Sequence, residues 1–327
     1  MTAPIRTRAA GPAQKAQKPM GASEQRLLPT MLLHAISAMH GENGLRERFA
    51  MEITRFADAD QRRLERALHL AARLHADDRR QREPYLNHLL RVATRIICYY
   101  HVDDTDVVCA AILHEAVEDH PDELAAGGGA HDALAVLAAE FGPRVAELVA
   151  AVTNPGYAPG RDEHDQYRQH VAESLDGCPW ARVIKASDFT DNGVGLIHTS
   201  GPRLDRLARK YAALVPVLRQ LIARPDTPLD EEAKARILGQ LDQAELRFAA
   251  ILLEQDSTIR SPKRPSSRLR AAAVTVSRPA PAGGRARGDV LGCVKTGIHM
   301  QIACPTGESP LMYMPAIIGE LFLGDQR

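Results

Sequence analysis

The stretch Val107-Val108-Cys109-Ala110-Ala111-Ile112-Leu113-His114-Glu115-Ala116-Val117-Glu118-Asp119 begins apolar and ends in one imidazole and three carboxylates. At 3.6 residues per turn, the runs Val107, Ala111, His114, Glu118 and Val108, Ile112, Glu115, Asp119 form one continuous surface, so the ionisable groups extend a face that should be buried. Buried carboxylates are costly unless something compensates them. A divalent cation compensates a histidine and several acids at once, and Pro121 closes the helix just afterwards. An ordinary helix end with solvated acids is the better explanation of an isolated His-Glu pair, so the pair needs company. Two further helical patterns provide it. His88 shares a face with Tyr85, Val92 and Ile96, and Asp188 follows Ile184 at i+4 with Lys185 one turn away. Imidazole and carboxylate ligands without a thiolate suit Mn²⁺, Fe²⁺ or another borderline ion better than a closed zinc site.

The elements that must position these groups read as helices throughout. Leu64, Ala67, Leu68, Ala71 and Leu74 recur at helical spacing from Asp58, with Asp60 as the expected N-cap and an end near His75. A basic loop at 77–83 leads to Pro84, which suits the start of the next helix. Asp103 and Asp104 open the helix that carries His114. Helices are expected over 134–141, 145–152, around 167–175, over 179–192, 204–222 and 231–253, the last with Ile237, Leu241, Ala244, Phe248 and Ile251 on its seam. Between residues 26 and 57, Leu32, Leu33, Ile36 and Met39 suggest one short helix, and Phe49, Ile53 and Phe56 another. No alternating strand pattern of useful length appears, so the expected fold class is all-α. Residues 1–25 read as a disordered tail, 26–256 as the helical domain, and 257–289, rich in Ser, Pro, Arg and Gly, as a linker. Residues 290–327 hold apolar pieces without a period and suggest no role.

Lys+Arg 41 balances Asp+Glu 41, so the chain as a whole gives no electrostatic case for nucleic acid or an anionic membrane, and any phosphate recognition must be local. The five cysteines lack CxxC spacing, which argues against a structural zinc site or a disulfide framework and for a reducing compartment, the cytoplasm. A basic N-terminus without an apolar core, and the absence of any run of about 18 apolar residues, suggest neither secretion nor a membrane span.

The ordered segments EPYLNHLLRVA, AAILHEAVEDH, FGPRVAELVAAVTNP and VIKASDFTDN resemble the HD-superfamily phosphohydrolases, specifically the RelA/SpoT-type alarmone hydrolase branch, over roughly residues 64–222. The resemblance implies an HD-type helical bundle with His88, His114, Glu115 and Asp188 as ligands of a divalent metal, most simply Mn²⁺. It implies that Glu118 and Asp119 position or activate the attacking water. It places Arg79 or Arg80 on the phosphates or guanine, and Lys185, Asn192 and Tyr211 along a nucleotide pocket. The implied reaction is removal of the 3′-pyrophosphate from ppGpp or pppGpp by a stand-alone hydrolase, with no synthetase-like segment after residue 256. Four positions depart from the pattern: Glu115 replaces an aspartate, the basic loop lacks its glycine, Leu89 replaces a proline, and KASDF replaces KLADR. The extra methylene of Glu115 should overshoot the metal unless its side chain folds back or the helix shifts. Two other readings accommodate these departures: an HD-type nucleotide phosphohydrolase of different specificity, or a degenerate HD domain that binds a nucleotide or partner without turnover.

Overall fold

Burial on every side marks the helices that carry the chemistry, and this sets the terms for each polar group on them. The computed structural model describes residues 20–80, 83–195 and 203–260, with side chains through residue 253. In order, the helices are α1 (Ala22–Leu27), α2 (Leu33–Ile53), α3 (Asp58–Leu74), α4 (Leu86–Cys98), α5 (Thr105–Leu113), α6 (Ala116–Asp119), α7 (Pro121–Leu124), α8 (Ala130–Phe141), α9 (Pro143–Val152), α10 (Glu163–Asp176), α11 (Pro179–Asn192), α12 (Arg203–Ala212), α13 (Val215–Ile222) and α14 (Glu231–Arg260), with a 3₁₀ turn at Leu28–Thr30. The all-α expectation holds, apart from a two-residue hairpin of β1 (Arg79–Arg80) and β2 (Glu83–Pro84). Among the described residues no helix is long and apolar enough to cross a membrane.

Helix α4 lies at the centre, packed against α2, α5 and α11. Its residues from Leu86 to Ile97 are all buried, as are Val107 to Leu113 of α5 and Ala181 to Thr190 of α11. His88, Arg91, Arg95, Lys185 and Asp188 therefore stand on helices with no solvent face, and each needs a partner inside the protein. Ile112 is fully buried two residues before His114. Its replacement by alanine is expected to cost about 2–5 kcal/mol, the usual range for deleting a large aliphatic side chain from a core. Urea denaturation of the two proteins measures the difference directly.

Several boundaries differ from the sequence expectations. The helix predicted to run unbroken through residues 107–119 ends at Leu113; Glu115, with φ −97° and ψ −8°, is the N-cap of a separate short helix. Asp104 does cap α5, its side chain accepting from the Asp106 and Val107 amides. Asp60 does not cap α3, whose N-cap is Ala57, and lies in the first turn instead. The basic loop contains the hairpin, and Pro84 belongs to β2 rather than to the start of α4. The expected helix 204–222 is two, with Pro216 in the first turn of α13. The two short helices expected between 26 and 57 correspond to α2, broken at Gly41, where φ 60° and ψ −148° suit a residue without a Cβ. Leu33, Ile36, Phe49, Ile53 and Phe56 are buried as expected, whereas Leu32 and Met39 are exposed. Residues 22–25 of the proposed tail lie in α1, and α14 continues past residue 256. Residues 1–19 and 261–327, including most of the proposed linker and the whole C-terminal segment, lie outside the described residues.

Candidate metal centre

Three segments bring four candidate ligands together. His88 sits in the first turn of α4, His114 and Glu115 at the break after α5, and Asp188 in the last turns of α11. One donor atom from each of His88, His114, Glu115 and Asp188 lies within 4.8 Å of every other. Asp188 Oδ1 is 3.4 Å from His88 Nε2 and 3.8 Å from His114 Nε2, and Glu115 Oε1 is 3.3 Å from His114 Nε2.

The remaining nitrogen of each imidazole has a partner that fixes its tautomer. His114 Nδ1 donates to the Ala111 carbonyl at 2.8 Å, an arrangement available because the side chain folds back over the last turn of α5. His88 Nδ1 lies 2.8 Å from Asp191 Oδ2. With Nδ1 protonated in both rings, each Nε2 presents a lone pair to the cluster, and both Nε2 atoms are buried without a hydrogen-bond partner. Two orphaned imidazole nitrogens facing two carboxylates fit a divalent cation. Burial alone would lower the His114 pKa, but Glu115 and Asp188 raise it to about 10, so a proton and a cation compete there for the same lone pair. Burial would likewise raise Glu115, yet His114 and His88 hold it at about 2.

Sequence reading missed Asp191, the buried hub behind the centre. It faces His88 on one side and the Arg91 guanidinium on the other, with Arg91 Nε 2.8 Å from Oδ1 and Nη2 2.9 Å from Oδ2. Arg95 adds a contact at 3.2 Å, and Glu83 takes the other edge of Arg91 at 2.7 Å. Burial pushes the Asp191 carboxyl up, but Arg91 and His88 outweigh it and keep it ionised. Two arginines at i and i+4 on a wholly buried helix demand a carboxylate, and that was the available signal. Asp191→Asn should weaken metal binding about 10–100-fold, the range for removing an outer partner of a ligating histidine. A metal titration with unchanged affinity would show that His88 is oriented without it.

The other expected site residues are placed unevenly. Lys185 Nζ is 3.0 Å from Asp188 Oδ2 and 5.5 Å from the centre of the Tyr167 ring. Lys210, not anticipated, lies over the same ring at 4.3 Å. Asn192 donates to Asp188 and accepts from Arg80, so Arg80 and Asn192 are paired with each other. Arg79 is exposed and, with Asp78, Tyr85, Asp119 and His120, lines a cavity of about 330 Å³. Tyr211 is buried edge-on against Phe189 at 5.7 Å, within the core rather than on an open wall. Asp119 borders the cavity, and burial followed by Glu115 and Glu118 raises its pKa to about 6. The two acids expected to act together are separated: Glu118 turns to Asn154, accepting from its backbone amide at 3.0 Å and its side chain at 2.9 Å.

Parts of the chain resemble known proteins. Residues 67–175 match the family model described as an HD domain, which includes His88, His114 and Glu115 but stops short of Asp188. Over 128 residues the chain is 30% identical to the guanosine-3′,5′-bis(diphosphate) 3′-pyrophosphohydrolase MESH1 of Drosophila melanogaster, covering 38% of this chain and 64% of that protein. It is 30% identical over 125 residues to its Mus musculus counterpart, covering 37% and 63%. The chain thus spans just under two thirds of the length of these relatives. A solved structure described as a metazoan ortholog of SpoT that hydrolyzes ppGpp aligns at 24% identity and a TM-score of 0.44, over 57% of this chain and 94% of that one.

Proposed function

We propose, on the premise that residues 67–175 are an HD domain, that the chain is a divalent-metal-dependent phosphohydrolase that removes the 3′-pyrophosphate from ppGpp or pppGpp. The observation that carries this reading is the convergence of His88, His114, Glu115 and Asp188 with both imidazole Nε2 atoms buried and unpartnered. These four residues would hold the ion, and their two nitrogens and carboxylate oxygens suit Mn²⁺. When bound, such an ion supplies Lewis-acid polarisation of a phosphoryl oxygen and a more acidic water.

The chain's own residues supply the rest. Asp119 stands on the cavity without belonging to the ligand set, so its carboxylate is free to take the proton of the attacking water. Glu118 holds Asn154, and with it the start of the loop after α9, beside that water's approach. Lys185 keeps Asp188 oriented, and Lys210 and Arg79 offset the phosphate charge. Asp191 holds His88 in its ligating tautomer. The match of the chain to two pyrophosphohydrolases supports a guanosine bis(diphosphate) as the substrate.

Hydrolysis of a different nucleotide phosphoester is a second reading, favoured by the pairing of Arg80 with Asn192, which commits two expected substrate contacts to one another. Incubating the Mn²⁺-loaded protein with ppGpp, GTP, dGTP and 3′-phosphorylated nucleotides, and measuring pyrophosphate and phosphate separately, distinguishes the two. Pyrophosphate from ppGpp supports the first reading. Phosphate, or turnover confined to another nucleotide, supports the second, and no turnover of any of them leaves a binding domain.

A further inference from the structure

A second group of ligating side chains lies outside the four-residue centre. His75 caps the C-terminus of α3, Asp78 follows in the turn before β1, and His120 joins α6 to α7. His75 Nδ1 is 2.7 Å and His120 Nε2 is 2.6 Å from the same oxygen, Asp78 Oδ2. Packing fixes these groups independently of that contact. The His75 ring lies flat on Tyr85, with centroids 4.8 Å apart and planes 9° from parallel, and meets His120 edge-on at 4.6 Å. The Asp78 amide donates to the His75 carbonyl at 3.2 Å, and its own carbonyl accepts from the Tyr85 amide at 3.1 Å, so the turn is closed on both sides.

We propose that His75, Asp78 and His120 form a second cation site that takes a borderline divalent ion such as Zn²⁺, with its open coordination positions toward the cavity beside them. Two imidazole nitrogens and one carboxylate oxygen are the donor set of an open zinc site, in which protein ligands leave at least one position for water or substrate. Asp78 and His120 line the cavity of about 330 Å³, which has room for such a ligand. The His75 side chain is 1% exposed and that of Asp78 33%, so a buried anchor is combined with a partly exposed carboxylate. Zinc bonds of about 2.0–2.2 Å in a tetrahedral arrangement place donor atoms roughly 3.3–3.5 Å apart. Reaching that spacing requires Asp78 Oδ2 to withdraw from the two imidazole nitrogens by roughly 0.6–0.9 Å. The proposal does not depend on the phosphohydrolase reading, because none of its three residues belongs to the first cluster.

The test is equilibrium dialysis of the metal-depleted full-length chain against Zn²⁺, followed by elemental analysis. The parent is expected to bind two ions per chain. His120→Ala and Asp78→Ala should each bind one, while Asp188→Asn should lose the other. Retention of the Asp188-dependent ion in the His120 and Asp78 variants shows that both remain folded. If one of them unfolds, the other carries the comparison, since His120 and Asp78 come from different segments. A parent that binds a single ion, lost in Asp188→Asn, would overturn the proposal and leave a His-Asp-His hydrogen-bonded triad. A second ion that persists in either His120→Ala or Asp78→Ala would overturn it as well, by placing that ion elsewhere.

Discussion

Replacing Asp188 with asparagine is expected to reduce Mn²⁺ affinity by more than about 100-fold and to abolish turnover of ppGpp at ordinary metal concentrations. Asparagine preserves the shape of the side chain but removes its charge and one of its acceptor oxygens. Two consequences follow from the geometry. The Asp188 oxygen that lies 3.4 Å from His88 Nε2 and 3.8 Å from His114 Nε2 becomes a neutral ligand, and buried Lys185 loses the carboxylate 3.0 Å away. A partner charge removed from a buried pair leaves an uncompensated ion, so the variant should also unfold at a lower temperature than the parent. Elemental analysis after dialysis decides the matter: a folded Asp188→Asn protein with undiminished metal would exclude Asp188 as a ligand.

The second large effect is expected at Asp119. Asp119→Asn should retain the metal and lose turnover by about 10²–10⁴, the scale for removing a general base. Asparagine has no basic oxygen, whereas the metal ligands lie one turn earlier and across the bundle and are untouched by the change. Glu118→Gln should cost less than this, because Glu118 is bonded to Asn154 and its glutamine keeps an acceptor for one of those bonds. Measured kcat values for the two variants, each with its metal content confirmed, separate the roles. Equal losses would return Glu118 to a share in the chemistry.

How much of this was visible in the sequence follows from the range of the interactions involved. His88, His114, Glu115 and Asp188 were legible because each continues an apolar face, and a buried face is a local, periodic signal. The bounds of α11 were legible for the same reason, with Pro179 to start it. The break after Leu113 was not, because the residues on both sides keep the same period while the backbone turns between them. That break also answers the question of reach at Glu115. A longer side chain joins the cluster because it leaves from the N-cap of α6 rather than from a continuous helix, and the same turn carries Glu118 away to Asn154. The pairing of Arg79–Arg80 with Glu83–Pro84 was invisible because two-residue strands have no alternation to read. Asp191 was missed because its partners Arg91 and Arg95 are about a hundred residues away, and only the fold brings them together. Asp78 and His120, 42 residues apart, meet for the same reason.

The central requirement of the proposed function is a cation held by His88, His114, Glu115 and Asp188 during pyrophosphate release. It is tested most directly by titrating Mn²⁺ into the metal-depleted chain and into Asp188→Asn while following pyrophosphate released from ppGpp. The expected result is no release before metal is added, release that saturates as Mn²⁺ binds the parent, and a curve displaced by more than about 100-fold in the variant. Release by the metal-free parent, or superimposable curves for the two proteins, would contradict it.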